Sequence, residues 1–382
     1  MHLEFTDEQL ELRDSARAIL ARECPPRLVR DIAAGGPGLE ELATAFTWLG
    51  WPALTIEVDL GGLGRSFVEL AMLLEELGRA AAPGPFLPTQ ALFAPVVREA
   101  GTTAQAHRFL AGVAAGASTG TLALHEGGRW DPLTVVATAE RDGDGWLLRG
   151  HKQHVMGAPE VDEVVVAARR DSGTLGLFVV PAAELTFKRT TSLDPTRSLA
   201  NVELNGVWVP EARMLGEPDV DAGKALEVAL CDATVALALD GLGACAALFD
   251  SCLAAAHDGR IAHVGQATEH ALAAMLVSIE MSRALIYQAA CAVTERDAGA
   301  SRMASAAKAA MGECQRLVAG TCLELYGTPI DRDARDLRLW VGRAKADDLL
   351  FGSAGDHRRM IADQLLSARR ARASQLATAL VH

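Results

Sequence analysis

The chain has no surplus of positive charge: 36 Lys and Arg stand against 49 Asp and Glu, giving a formal net charge of −13. That balance argues against a protein that grips the phosphate backbone of a nucleic acid. There is no unbroken run of about 18 uncharged apolar residues, and the opening MHLEFTDEQL has neither a basic stretch nor an apolar core of the kind that directs export. A soluble, cytoplasmic protein with no membrane partner is the expectation. Seven cysteines are present (Cys24, Cys231, Cys245, Cys252, Cys291, Cys314, Cys322), but none forms a CxxC pair. Neither a disulfide framework nor a metal site is therefore expected; the thiols read as small buried hydrophobes in a reducing compartment. Internal repeats and low-complexity tracts are also missing.

What is present is apolar bulk. Half of the 382 residues are hydrophobic, enough for two or three packed subdomains. Thr6 followed by Asp7, Glu8 and Gln9 predicts a capped helix start, with Gln9 in the capping-box position; Cys24-Pro25-Pro26 stops that helix. A second helix is expected over about 39–49. After the turn Asp59-Leu60-Gly61-Gly62-Leu63-Gly64, an amphipathic helix capped by Ser66 runs to near Gly78. Pro83, Pro85 and Pro88 break the chain again before more helix to about Ala115. From Gly116 the character changes to short β-rich runs such as TVVATAE, GWLLRGHKQHV and TLGLFVVP, with hairpin signals at Asp142-Gly143-Asp144-Gly145 and Asp171-Ser172-Gly173.

Beyond Gly216 the pattern is helical to the end. The stretch from Asp221 to His270 opens with Leu226, Leu230, Ala233, Leu237 and Gly241 at helical spacing, so one face must be buried. Its Ala, Gly and Cys content lets neighbours approach closely. The expected division is an N-terminal α-helical domain over 1–116, a middle β domain over 117–218 and a C-terminal helical bundle over 219–382.

These segments resemble the acyl-CoA dehydrogenase family over nearly the whole length. Leu49 to Thr89, with its GGLG turn, EELGR helix end and proline-rich break, is similar to the family's N-terminal run. DGDGWLLRGHKQHV resembles the hairpin leading to the flavin-contacting strand, and VELNGVWVP the end of the β domain. QATEHALAAMLVSIEMSRALIYQAA and RAKADDLLFGSAGDHRRMIA resemble its C-terminal helices. The resemblance implies an α+β multidomain architecture: an α-helical domain, a β-barrel-like domain and a C-terminal four-helix bundle. It also implies FAD held between sheet and bundle and reaching into a neighbouring subunit, an acyl-CoA substrate, and electron-transfer flavoprotein as acceptor.

The family's chemistry needs a carboxylate that removes the α-proton while the flavin accepts hydride on the other side. The resemblance implies two places for that glutamate, and this chain has Phe351 at one and Ala233 at the other, followed by Thr234. Asp232 is adjacent but lies about 100° round the helix, and a structural role is expected of it. The element that shields the isoalloxazine and donates a hydroxyl hydrogen bond is His154-Val155-Met156 here, and methionine has no such donor. His125-Glu126-Gly127 stands for the Thr-Glu-Pro turn, and Asp131 reads as a structural cap. In the shortened loop Arg260 to Gln266, helical phase places Arg260 next to the family's dinucleotide arginine; an ungapped alignment from Gln266 places Ala255 there. Gly327 is the one glycine surviving from a glycine-rich turn, and Arg197 is a candidate for CoA phosphates or a solvated loop residue. The implied cofactor-contacting set is His125, His154, Met156, Arg260, Gln266 and Gly327.

Three functions follow as expectations. The first is a base-lacking subunit working with a second acyl-CoA dehydrogenase chain in an α2β2 complex, on a bulky or steroid side-chain acyl-CoA. The second is a non-redox acyl-thioester-binding or structural homomer. The third is a homotetrameric dehydrogenase that uses Asp232 as a displaced base.

Overall fold

A computed structural model describes residues 5–128, 130–261, 265–327 and 336–379. The N-terminal helices are α1 (Asp7–Glu23), α2 (Pro26–Ala33), α3 (Leu39–Trp48) and α4 (Phe67–Arg79), then α5 (Phe86–Pro88), which runs through a π-helical turn at Thr89–Phe93 into α6 (Ala94–Ala100), and α7 (Thr103–Ala114). The two helix starts read from sequence form as capping boxes, Thr6 with Gln9 and Ser66 with Glu69. Each satisfies backbone N–H groups that a helix leaves orphaned at its first turn.

Seven strands follow: β1 (Gly120–Ala123), β2 (Thr138–Asp142), β3 (Gly145–Met156), β4 (Glu163–Arg170), β5 (Leu175–Pro181), β6 (Thr186–Arg189) and β7 (Leu199–Pro210). They form one curled sheet in the order β1-β4-β2-β3-β7-β6, with β5 on the other edge of β4. β3 is the long central strand. It pairs antiparallel with β2 and β7, and its ladder with β7 slips between Lys152 and Val155, which re-aims the residues that follow.

The C-terminal domain consists of α8 (Gly223–His257), α9 (Gln266–Thr294), α10 (Ala300–Tyr326), α11 (Leu337–Asp347) and α12 (Ala354–Ala379). α8 is apolar all round because protein surrounds it. It joins one core with α4, α9 and α10 and a second core with the sheet. α8 and α9 are both long and apolar enough, by length and composition, to cross a membrane; 83% of the most apolar window of α8 is buried inside the protein itself. Close approach depends on glycine. A Cβ on Gly243 would lie 1.9 Å from the Glu75 carbonyl oxygen, and one on Gly78 would lie 2.0 Å from that of Asp240. α4 and α8 therefore cross backbone to backbone, and the EELGR sequence is small where it must be.

The α4 crossing is pinned by buried carboxylates. Glu75 pairs with Arg283 and accepts from the Tyr287 hydroxyl at 2.8 Å, while Glu76 accepts from Arg17 at 2.7 Å. Tyr287 and Trp340 are core residues, the latter donating its indole N–H to the Arg79 carbonyl at 2.9 Å. Five of the seven cysteines are buried and all are unpaired.

Candidate functional site: the cleft between sheet and bundle

Three segments meet where α8 passes the sheet: the end of β3, the turn after β1, and the turn between α11 and α12. Ala233 on α8, Phe351 in the last turn and Met156 at the end of β3 fall in one apolar cluster with Leu237 and Leu350. The two positions that the resemblance assigns to a base thus belong to the same apolar cluster. Thr234 turns back along α8, its hydroxyl donating to the Leu230 carbonyl at 2.7 Å.

Next to this cluster four rings meet in series, the first pair stacked and the other two tilted by 38° and 56°. Phe351 lies on Trp130 with centroids 4.4 Å apart and planes 27° apart; Trp130 lies on His125 at 4.7 Å; His125 lies against His154 at 5.1 Å. Each spacing is about that of favourable aromatic contact. The two imidazoles meet Nδ1 to Nδ1 at 3.4 Å, one donating and the other accepting. Burial, followed by the neighbouring His154, holds the His125 pKa below the ordinary histidine value.

The ends of the series are strained. His154 has φ +50° and Phe351 φ +60°, a region that side chains beyond glycine rarely adopt. Surrounding bonds hold both in place. The His154 N–H donates to Asn201 Oδ1 at 3.1 Å, and His357 Nε2 lies 2.9 Å from the Phe351 carbonyl oxygen it donates to. Lys308, fully buried, donates to the carbonyls of Asp347 at 2.7 Å and Gly352 at 3.2 Å. Burial pushes the Lys308 pKa down to about 8 and, with Lys308 alongside, the His357 pKa down to about 4.

Glu126 braces the turn from below. It pairs with the fully buried Lys152 and accepts from the Val136 N–H at 2.6 Å and the Ala137 N–H at 3.2 Å. Asp131 acts as the cap read from sequence, accepting from the Leu133 N–H at 2.8 Å.

Asp232 points the other way. It accepts from Arg296 at 2.7 and 3.2 Å, and Arg296 also holds Glu99 at 2.5 Å. It lines a polar cavity of about 260 Å³ with Arg65, Arg98, Arg296 and Glu57. Burial raises its pKa even against Arg296. Both of its carboxylate oxygens are engaged by Arg296.

Arg197 corrects both readings made of it. It is neither solvated nor free for a phosphate but buried, paired with Asp240 of α8 and Asp347 of α11, with Asp194 at 3.8 Å. Arg343 completes the cluster, lying 3.3 Å from both Asp194 and Asp240 and donating to Thr196 Oγ1 at 2.6 Å and the Ala82 carbonyl at 2.9 Å. This hub ties the loop before β7 to α8, α11 and the break after α4. Sequence reading missed Asp240, Asp347 and Arg343 because their partners are far apart in the chain. It also missed Trp130, whose one signal is a bulky ring in the glycine-rich turn GGRWD.

The remaining site residues lie at the other end of the bundle. Arg260 and Gln266 are exposed, just past α8 and at the start of α9; Arg260 reaches Asp258 at 3.2 Å. Ala255, the alternative to Arg260, is buried inside α8. Gly327 ends α10 with φ +67°, and a Cβ there would meet nothing within 4 Å. Residues 328–330 of the turn that follows lie outside the described residues. Ala233 precedes the end of α8 at His257 by 24 positions, about 36 Å at the rise of an α-helix. One chain therefore brings His125, His154 and Met156 together but keeps Arg260, Gln266 and Gly327 apart from them.

A helical domain, a curled sheet and a helical bundle, meeting at a cleft of this kind, define the architecture of flavin-dependent enzymes that oxidise CH–CH bonds. The chain belongs to the acyl-CoA dehydrogenase family: residues 6–117 match its N-terminal domain model and residues 226–366 its C-terminal domain model. Among curated proteins it is 26% identical over 345 residues to the mitochondrial short-chain specific acyl-CoA dehydrogenase of Bos taurus, covering 84% of this chain and 81% of that protein. Among solved structures it is similar to the Tcur3481-Tcur3483 steroid acyl-CoA dehydrogenase variant (TM-score 0.85, 28% identity, 95% of this chain and 99% of that one). It also superposes on a chain of the ChsE4-ChsE5 complex from Mycobacterium tuberculosis (TM-score 0.85, 23% identity, 96% and 99% covered).

FAD is the cofactor of this family. At the ring end the side chains present do not fit it. Between the base position and the shielding element, where substrate and isoalloxazine have to lie, this chain places the rings of Trp130 and His125. Met156 brings no hydroxyl to the place of the hydrogen-bond donor.

Proposed function

We propose that this chain is the base-lacking subunit of a two-component acyl-CoA dehydrogenase, joined to a second family chain that carries the glutamate. One observation carries the reading: Phe351 and Ala233, at both base positions, share one apolar cluster. An unpartnered carboxylate is disfavoured there, and neither of the two side chains can accept the α-proton. The separation of His125, His154 and Met156 from Arg260, Gln266 and Gly327 also supports a site shared across subunits, in which this chain's Arg260 loop lies against FAD held by its partner. Likeness to the steroid and ChsE4-ChsE5 structures favours an α2β2 assembly acting on a bulky acyl-CoA; electron-transfer flavoprotein as acceptor and a cytoplasmic location belong to the same proposal.

The test is to express the chain alone and together with the acyl-CoA dehydrogenase-type product of a neighbouring gene. Particle mass and 450 nm flavin absorbance per chain are then read. The expected outcome is a yellow 1:1 complex, active on an acyl-CoA, and no activity from the chain alone. A yellow homotetramer that reduces with an acyl-CoA, or failure of every neighbouring family chain to associate, contradicts the reading.

A further inference from the structure

We infer that the polar cavity beside Asp232 is a binding site for a small phosphate-type oxyanion, held by Arg65, Arg98 and Arg296. The inference goes beyond the proposed function and does not rest on it. The three guanidinium groups come from separate elements and line one cavity of about 260 Å³. Arg65 stands just before α4, Arg98 on α6 and Arg296 just past α9. The volume lies under the roughly 300 Å³ at which pockets for drug-sized ligands begin, so it suits a small metabolite. The backbone at Arg296 is one sign that arginine is required here. α9 ends in a Schellman turn, in which the Asp297 N–H donates to the Ala292 carbonyl at 3.0 Å and the Arg296 N–H to that of Val293 at 3.3 Å. The second of these positions takes left-handed backbone and is usually glycine. Here an arginine takes it, at φ +51°, with the strain that a Cβ brings.

Hydrogen-bond donors are in surplus in this cavity. Each guanidinium carries five N–H groups and accepts nothing. Arg296 engages both oxygens of Asp232 and reaches Glu99. Arg98 gives its Nε–H to Glu57 at 3.1 Å and one Nη2–H to the Thr55 carbonyl at 3.2 Å, while its Nη1 has no partner among the described residues. The nearest carboxylate to the Arg65 guanidinium is Glu8 at 3.7 Å, beyond hydrogen-bond reach. The carboxylate oxygen left over, Glu57 Oε2, is sealed from solvent and so does not face the void. The open N–H groups of Arg65 and Arg98 therefore lack acceptors that an oxyanion would supply. Forks arriving from three elements suit a tetrahedral dianion, whereas a planar carboxylate matches one fork.

The probe is inorganic phosphate, titrated calorimetrically into the full chain at constant ionic strength, with acetate as the planar comparison. Wild type is expected to take one phosphate per chain and to bind acetate more weakly by about tenfold or more, having one matched fork in place of three. Arg65→Gln and Arg98→Gln should each weaken phosphate by about tenfold, the loss of one charged hydrogen-bonding partner. Glu57→Gln removes a carboxylate from the wall and should bind at least as tightly as wild type. Arg27→Gln removes an exposed arginine elsewhere and should change nothing. Thermal melting shows which variants fold, and the Arg65 side chain, more than half exposed, can be changed without opening the core. The inference is overturned if phosphate shows no saturable binding, if acetate binds as tightly, or if R65Q binds no more weakly than R27Q. The partner-subunit reading is judged by particle mass and so stands or falls separately.

Discussion

The two clusters at the junction of sheet and bundle have opposite chemistry. The hub of Arg197, Arg343, Asp194, Asp240 and Asp347 is fully charged, buried and closely matched, and it joins elements from all three domains. The ring series of Phe351, Trp130, His125 and His154 carries no carboxylate and stands beside an apolar cluster. Charge holds the domains in place at the hub, whereas the positions that the resemblance assigns to the base are apolar.

The contrast can be broken first at the hub. Arg343→Ala takes one of two arginines from the buried Asp194 and Asp240, leaving them Arg197, and loss of one partner of a buried pair costs about 3–5 kcal/mol. Urea unfolding should show that loss, and Arg343→Lys should restore little of it, because a single ammonium cannot replace the guanidinium contacts to Asp194, Asp240, Thr196 and Ala82. The reverse exchange puts a charge into the ring end. Phe351→Glu buries a carboxyl without a partner and is expected to cost about 1–3 kcal/mol. It should give the isolated chain no dehydrogenation with FAD supplied, because Trp130 and His125 still separate that position from the shielding element. Activity returning in F351E alone would show that only the base had been lost.

The smallest effect is on pH. His357 in the folded chain has its pKa near 4, below the ordinary value of 6.5, because it is buried beside Lys308. In that window the unfolded chain binds the proton and the folded chain does not, so stability falls as pH drops from about 6.5 to about 4. The urea midpoint should decline over this range, and less steeply in His357→Gln.

Local signals were legible in the sequence and long-range ones were not. The Thr6–Gln9 and Ser66–Glu69 boxes form because their partners sit three residues apart. The Ala, Gly and Cys content of α8 announced close packing, but its helical spacing was read as one buried face where the structure packs protein on two sides. The altered base and shield positions could be read because a resemblance fixed where to look. Arg197 was misread because a loop arginine gives no local sign of Asp240 and Asp347, which lie 43 and 150 residues away. Trp130 went unnoticed for a related reason: its significance comes from Phe351, placed over it by the far end of the chain.

The central claim is that this chain alone does not dehydrogenate. The most direct test is an anaerobic titration of the isolated protein, supplied with FAD, against short-chain, long-chain and steroid side-chain acyl-CoA thioesters. The account predicts that absorbance at 450 nm stays unbleached with every thioester and bleaches once the partner subunit is added. Stoichiometric bleaching by any of them in the isolated chain would contradict it.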